Sequence, residues 1–209
     1  MTQVPELFGS KVFDDRVMKA RLSADVYNSL QKTTAEGQRL DLSVANAVAS
    51  AMCAWAIENG ATHFTHWFQP LTGITAEKHD SFVSTPNADG RTMMGFSGKE
   101  LIKGEPDASS FPSGGLRATF EARGYSAWDI SSPAFIVKSP KGGTLFIPSV
   151  FLSYDGSPLD LKTPLLRSLD ALESRAFKLL RTLGQRGVRY VKMTVGAEQE
   201  YFLVDEDLY

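Results

Sequence analysis

The sequence predicts an α+β chain, and three observations carry that expectation. The first sixty residues keep helical spacing, the stretch from Ala61 onward changes to β-branched and aromatic runs broken by glycine and proline, and a strongly amphipathic helix near Thr163 precedes two more strand-like runs. Helices and strands grouped in this way, rather than scattered, build α+β domains around a shared core.

The first well-marked helix lies in LSVANAVASAMCAWAIENG, where Val44, Val48, Ala51 and Trp55 recur at helical spacing, Ser43 is placed to cap the start and Gly60 to end it. ATHFTHWFQPLTGITAEKHDSFV then reads as a hairpin: a strand near residues 62 to 69, Pro70 at its end, and a turn at Leu71-Thr72-Gly73. From Asn87 to Arg123 glycine, serine and proline dominate, predicting a long loop, yet Phe96, Leu101, Ile102, Phe111, Leu116 and Phe120 are interspersed to pin it down. Strands resume at Pro133 to Val137 and Thr144 to Ser153, around a turn at Ser139 to Gly143 and before one at Tyr154-Asp155-Gly156. Thr163 as cap and Pro164 at the first helical position then open a helix whose stripe is Leu165, Leu169, Leu172, Ala176, Leu179 and Leu183, stopped by Gly184. A final strand pair is expected over Tyr190 to Val195 and Glu198 to Val204. A helix and strands in that position look like the opening unit of a mixed sheet whose other members are missing.

Composition narrows the function. The 209 residues are 43% hydrophobic, 22% charged and 11% aromatic, as in a globular chain. A net charge of -2 supplies no basic field for nucleic acid or an anionic membrane, so neither is an expected partner. The single cysteine, Cys53, excludes an internal disulfide and a multi-cysteine zinc site, and suits a reducing, cytoplasmic compartment. Its small-residue helical surroundings predict a packed thiol and not a nucleophile. No apolar run reaches the length of a membrane span.

Two carboxylates are the sharpest chemical feature. In VGAEQEYFLVDEDLY, Glu198 and Glu200 share one face of the expected strand, about 6.6 to 6.8 Å apart along the backbone, in line with Phe202 and Val204. Like charges that close repel and raise each other's proton affinity unless a cation lies between them, and oxygen-only ligands suit magnesium or manganese. The alternative is that this part of the strand emerges into solvent with both side chains hydrated. His63 and His66, three apart on a strand, fall on opposite faces and make a poor metal pair. Asp129 in AWDISSP reads as a turn-capping aspartate ahead of an active-site acid, and SFPSGGLR lacks the lysine and spacing of a phosphate-binding loop.

THWFQPLTGITAEKHDSF, FSGKELIKGEPDASSFPSGGLRATFEARGYSAWD, TPLLRS and VGAEQEYFLVD together resemble glutamine synthetase, in its large bacterial type III form, from about residue 8 to the C-terminus. The resemblance implies a helical N-terminal extension over residues 1–60, a β-grasp domain over 61–158, and over 159–209 the first helix and strands of a catalytic domain, which is incomplete. It implies synthesis of glutamine from glutamate, ammonia and ATP through a γ-glutamyl phosphate, with Glu198 and Glu200 as ligands to two divalent ions, Mg²⁺ or Mn²⁺. It also matches Asp107-Ala108-Ser109-Ser110 to a loop whose aspartate helps deprotonate ammonium in a neighbouring subunit. Here Ala108 replaces a glycine, and an aspartate bonding its own turn is the alternative. The implied assembly is a homo-oligomer, a dodecamer of two stacked rings.

The nucleotide pocket, the glutamate-binding arginine and the other metal ligands of that family would lie beyond Tyr209. The expectation is therefore a partial or truncated enzyme, inactive alone and poorly soluble. The competing class is a non-catalytic β-grasp module that binds or regulates glutamine synthetase subunits.

Overall fold

The computed structural model describes residues 7–36, 40–71, 76–83, 88, 95–102, 124–140, 142–196 and 198–209. It divides into two compact units, Met1–Thr163 and Pro164–Tyr209.

The first unit opens with a two-residue strand, β1 (Val12–Phe13), followed by α1 (Asp15–Arg21), α2 (Ala24–Glu36) and α3 (Leu42–Glu58). Asp14 caps α1, its carboxylate accepting from Val17 N at 2.9 Å. At α3 the cap is Asp41 and not Ser43, which donates its backbone N–H to the Asp41 carboxylate at 2.8 Å. A carboxylate also complements the positive end of a helix, which a serine hydroxyl does less well. Gly60, at φ +87°, reverses the chain after α3 as expected. The helix buries Val44, Val48, Met52, Cys53 and Trp55 together, with Ala51 only half-buried.

The sheet follows. β2 (Ala61–Phe68) pairs antiparallel with β3 (Ala76–Ser81), so a hairpin forms where the sequence predicts one, although the turn residues Thr72 and Gly73 lie outside the described set. Pro70 sits just past the strand, bridging Asp160. The long central stretch contributes a short helix that its composition conceals, α4 (Gly98–Ile102), and directly after it comes a strand the sequence reading does not include, β4 (Gly124–Trp128). Phe96 and Leu101 are indeed buried, while Phe111, Leu116 and Phe120 lie outside the described residues. β5 (Ala134–Ser139) and β6 (Gly142–Ser153) follow.

β6 organises the sheet. Its first half runs between β5, antiparallel, and β2, parallel; its second half, from Ser149, pairs antiparallel with β4. The change of partner falls at Pro148, which has no N–H to give a ladder and whose carbonyl accepts from Asp129 N at 2.9 Å. β1 extends the sheet beyond β5, giving the order β1-β5-β6-β2-β3 with β4 on β6. Alternate residues Leu145, Ile147 and Ile136 meet Val48, Met52 and Phe13 in one core. Each such side chain contributes about 1.5 to 3 kcal/mol on burial. Phe64, Phe82 and Phe96 close it with ring centroids 4.8 to 5.7 Å apart.

After β6 a turn centred on Asp155 and Gly156 leads to α5 (Lys162–Thr182). The Ser153 hydroxyl, and then the Ser157 backbone N–H, bring the Asp155 carboxyl down to about 2. The side chain that caps α5 is Asp160, accepting from Thr163 N at 2.8 Å, whereas the Thr163 hydroxyl is buried with no hydrogen-bond partner. Pro164 is the third residue of α5 and not the first, because the helix starts at Lys162; it still lies in the first turn, where its missing N–H is not needed.

In the second unit the continuation of α5 carries the expected stripe, but Leu165, Leu172, Leu179 and Leu183 are exposed. Gly184, at φ +85°, ends the helix as expected. The strands expected at Tyr190 to Val195 and Glu198 to Val204 do not form: the described residues there are irregular, with Phe202 87% and Leu203 97% exposed. The physical reason is a missing partner, since an isolated pair of strands is marginal without a further sheet or helix against it.

Candidate functional site

Glu198 and Glu200 come from the irregular segment after α5. Both are exposed, and so are Tyr201, Phe202 and Leu203, so the alignment of carboxylates with a buried apolar face is not formed. In the same segment Met193 N donates to the Glu173 carboxylate of α5 at 2.8 Å. Among the described residues no group of three or more histidine, cysteine or acidic side chains is arranged to hold a metal. The two glutamates are hard oxygen donors, a type that fits a magnesium or manganese ion, and by themselves they would fill only part of an octahedral shell. Asp107 lies outside the described residues and so does SFPSGGLR.

His63 and His66 lie on opposite faces of β2, exposed and buried respectively. His66 Nδ1 is hydrogen-bonded to Ser149 Oγ at 3.0 Å, and Ser149 Oγ also lies 2.9 Å from Ile147 O. This is a satisfied core histidine.

Asp129 does what its turn predicts. Its carboxylate accepts from Ser131 N at 2.9 Å, from Ser131 Oγ at 2.6 Å and from Ser132 Oγ at 2.9 Å, and it pairs with the ammonium of Lys162. Burial alone pushes this carboxyl up, but the Lys162 hydrogen bond and charge, with the two serines, outweigh it and hold it below the usual carboxylate range. Cys53 is likewise buried, and burial pushes its thiol up, away from a reactive thiolate.

Sequence reasoning misses Asp160, a fully buried carboxylate. It is 0% exposed, and its two oxygens serve two elements: one accepts from Phe151 N of β6 at 2.7 Å, the other from Thr163 N of α5. The available signal is an aspartate three residues ahead of a threonine and proline, a spacing that fits a helix cap.

A family model described as glutamine synthetase type III N terminal matches residues 4–168. The chain is 44% identical over 207 residues to a type-3 glutamine synthetase of Dictyostelium discoideum. It is 47% identical over 207 residues to a glutamine synthetase of Bacteroides fragilis (strain YCH46) and 38% over 205 residues to one of Butyrivibrio fibrisolvens. These matches cover 99%, 99% and 97% of the chain, and 28% of each relative's length.

Proposed function

Because the chain belongs to the type III glutamine synthetase family, we propose that it forms the N-terminal part of an ATP-dependent glutamate-ammonia ligase and is inactive without the remainder. The observation that carries this reading is the family match over residues 4–168 together with near-complete coverage by three glutamine synthetases. In that reaction a γ-carboxylate oxygen of glutamate takes the γ-phosphoryl group of ATP, releasing ADP. The nitrogen of ammonia then attacks the γ-carbonyl carbon and phosphate leaves.

Glu198 and Glu200 are the proposed ligands to Mg²⁺ or Mn²⁺, completed by residues outside this chain. When bound, such an ion would supply neutralisation of phosphate charge in the transition state. Glu198 and Glu200 would orient their oxygens for that purpose once the strand that their sequence predicts has a partner. Asp107 is the proposed acceptor of the proton lost by ammonium, acting in a neighbouring subunit of a two-ring dodecamer in the cytoplasm. The parallel pairing of β2 with β6 inside an otherwise antiparallel sheet supports reading residues 61–158 as the β-grasp domain.

The test is a chimaera in which these 209 residues replace the matching 28% of the Bacteroides fragilis relative. Glutamine formation dependent on ATP and ammonia is expected from the chimaera and not from the 209 residues alone. A folded chimaera without activity sinks the reading, leaving a non-catalytic module; activity of the isolated chain refutes its dependence on the remainder.

A further inference from the structure

We propose that the leucine face of α5 is the surface on which the following part of a glutamine synthetase packs, so that this helix supplies one side of a hydrophobic core completed from outside the chain. The inference rests on the reading of the chain as the N-terminal part of that enzyme. The second unit, taken by itself, carries it. From Pro164 onward no described residue is buried, so this unit holds no core of its own. Leu165, Leu172, Leu179 and Leu183 are 45 to 67% exposed, with Leu169 and Ala176 half-buried between them. The segment after α5 leaves the stripe open. Its hydrogen bond from Met193 N to the Glu173 carboxylate falls about 80° round the helix from the middle of the stripe, at 100° per residue. Tyr201, Phe202 and Leu203 of that segment are themselves exposed.

A helix of this kind is held in water chiefly by packing its apolar face on a core, since propensity alone leaves it marginal. The opposite side carries Ser174, Lys178 and Arg181, all exposed, so α5 is built to be covered on one side only. The comparisons say what covers it. The N-terminal family match stops at residue 168, close to the boundary between the two units at Thr163 and Pro164. Similarity to the three relatives nevertheless runs on through α5, over 97 to 99% of the chain, and accounts for only 28% of their length. Most of α5 therefore belongs to a region of the relatives beyond the N-terminal family domain, and the greater part of each relative is available to bring the matching apolar face.

The experiment follows hydrogen exchange of the α5 amides from Leu169 to Leu180 in the 209-residue chain and in the chimaera with the Bacteroides fragilis relative. Exchange should be at least about a hundredfold slower in the chimaera. Leu172→Lys with Leu179→Lys should restore fast exchange there and leave the short chain within about threefold, whereas Ser174→Lys, on the opposite side, should change neither. Leu172→Ala is the milder variant should the double one not fold: about tenfold faster exchange in the chimaera, and no change in the short chain. Equal exchange in the two chains overturns the proposal. If α5 is already protected in the short chain at about one micromolar, the first unit covers the stripe; if protection appears only as concentration rises, a second copy does. A chimaera that makes glutamine while α5 stays unprotected sinks the docking and leaves the functional reading standing. An inactive chimaera with α5 protected does the reverse.

Discussion

Lys162, at the first turn of α5, returns its ammonium to Asp129, a carboxylate only 6% exposed in the turn between β4 and β5. Removing one partner of a buried pair leaves the other charge uncompensated, a change that costs more than the pair itself contributes. Asp129 titrates below the usual carboxylate range when folded. The folded state thus binds fewer protons than the unfolded one near pH 4, and stability rises with pH there. The contribution is complete above the unfolded carboxylate value and is lost as pH falls through the lower folded value. Asp129→Asn should flatten this acid limb in melting curves recorded between about pH 2 and 6. Lys162→Met should cost about 1 to 3 kcal/mol at neutral pH in urea titrations.

Gly98 allows α4 to approach α3 at backbone distance. A Cβ there would stand 2.4 Å from Asn46 N and 2.6 Å from Ala45 C, and neither backbone atom can swing aside. The approach is fixed by the Asn46 side chain, whose oxygen accepts from Gly98 N at 2.9 Å. Gly98→Ala is expected to cost about 1 to 3 kcal/mol through overpacking. A shift of the urea midpoint with unchanged slope is the outcome to look for, and an unshifted midpoint would contradict the close approach.

Cys53 is packed among Val48, Met52 and Ala56, and its thiol is pushed up by burial. An aromatic disulfide reagent at pH 8 should modify it at least about tenfold more slowly in the folded chain than in denaturant. Equal rates would mean that α3 does not shield the thiol as described.

The parts of the fold legible in sequence are those governed by local periodicity. α3 and α5 announce themselves by apolar spacing and by glycines that stop them, and β2 and β6 by runs of β-branched and aromatic residues. The caps are misplaced because two capable residues compete at each start, Asp41 with Ser43 and Asp160 with Thr163, and position relative to the free N–H groups decides between them. β4 is hidden because Gly-Tyr-Ser-Ala-Trp has weak local strand character and gains its ladder from the second half of β6. The carboxylate pair is legible as a pair. The strand meant to present it depends on partners far away in sequence, and local pattern carries no record of whether those are present.

The stripe of α5 yields a prediction about association. Leu165, Leu172, Leu179 and Leu183 follow one another at helical spacing and are all exposed. A continuous apolar surface of this kind drives self-association in water. Light scattering should find the 209-residue chain heterogeneous at tens of micromolar, and Leu172→Lys with Leu179→Lys should shift it towards monomer. Since neither leucine is buried, the double variant should change stability by less than about 1 kcal/mol. A well-behaved wild-type monomer would show instead that the stripe is covered.

Glu198 and Glu200 provide the final test, because their exposure and their proposed role point to different behaviour in different chains. In the 209 residues alone, two hydrated carboxylates on an irregular segment have too few donors to dehydrate a magnesium ion, so Mn²⁺ used as its paramagnetic probe should bind no tighter than about millimolar. In the chimaera with the Bacteroides fragilis relative, added ligands should tighten binding by about a hundredfold or more, and Glu198→Gln or Glu200→Gln should remove about ten- to a hundredfold of it. The substitution keeps size and removes charge, so a loss reports coordination and not packing. Tight binding of Mn²⁺ by the short chain, or indifference of the chimaera to both substitutions, would rule out these two glutamates as ligands completed from outside the chain.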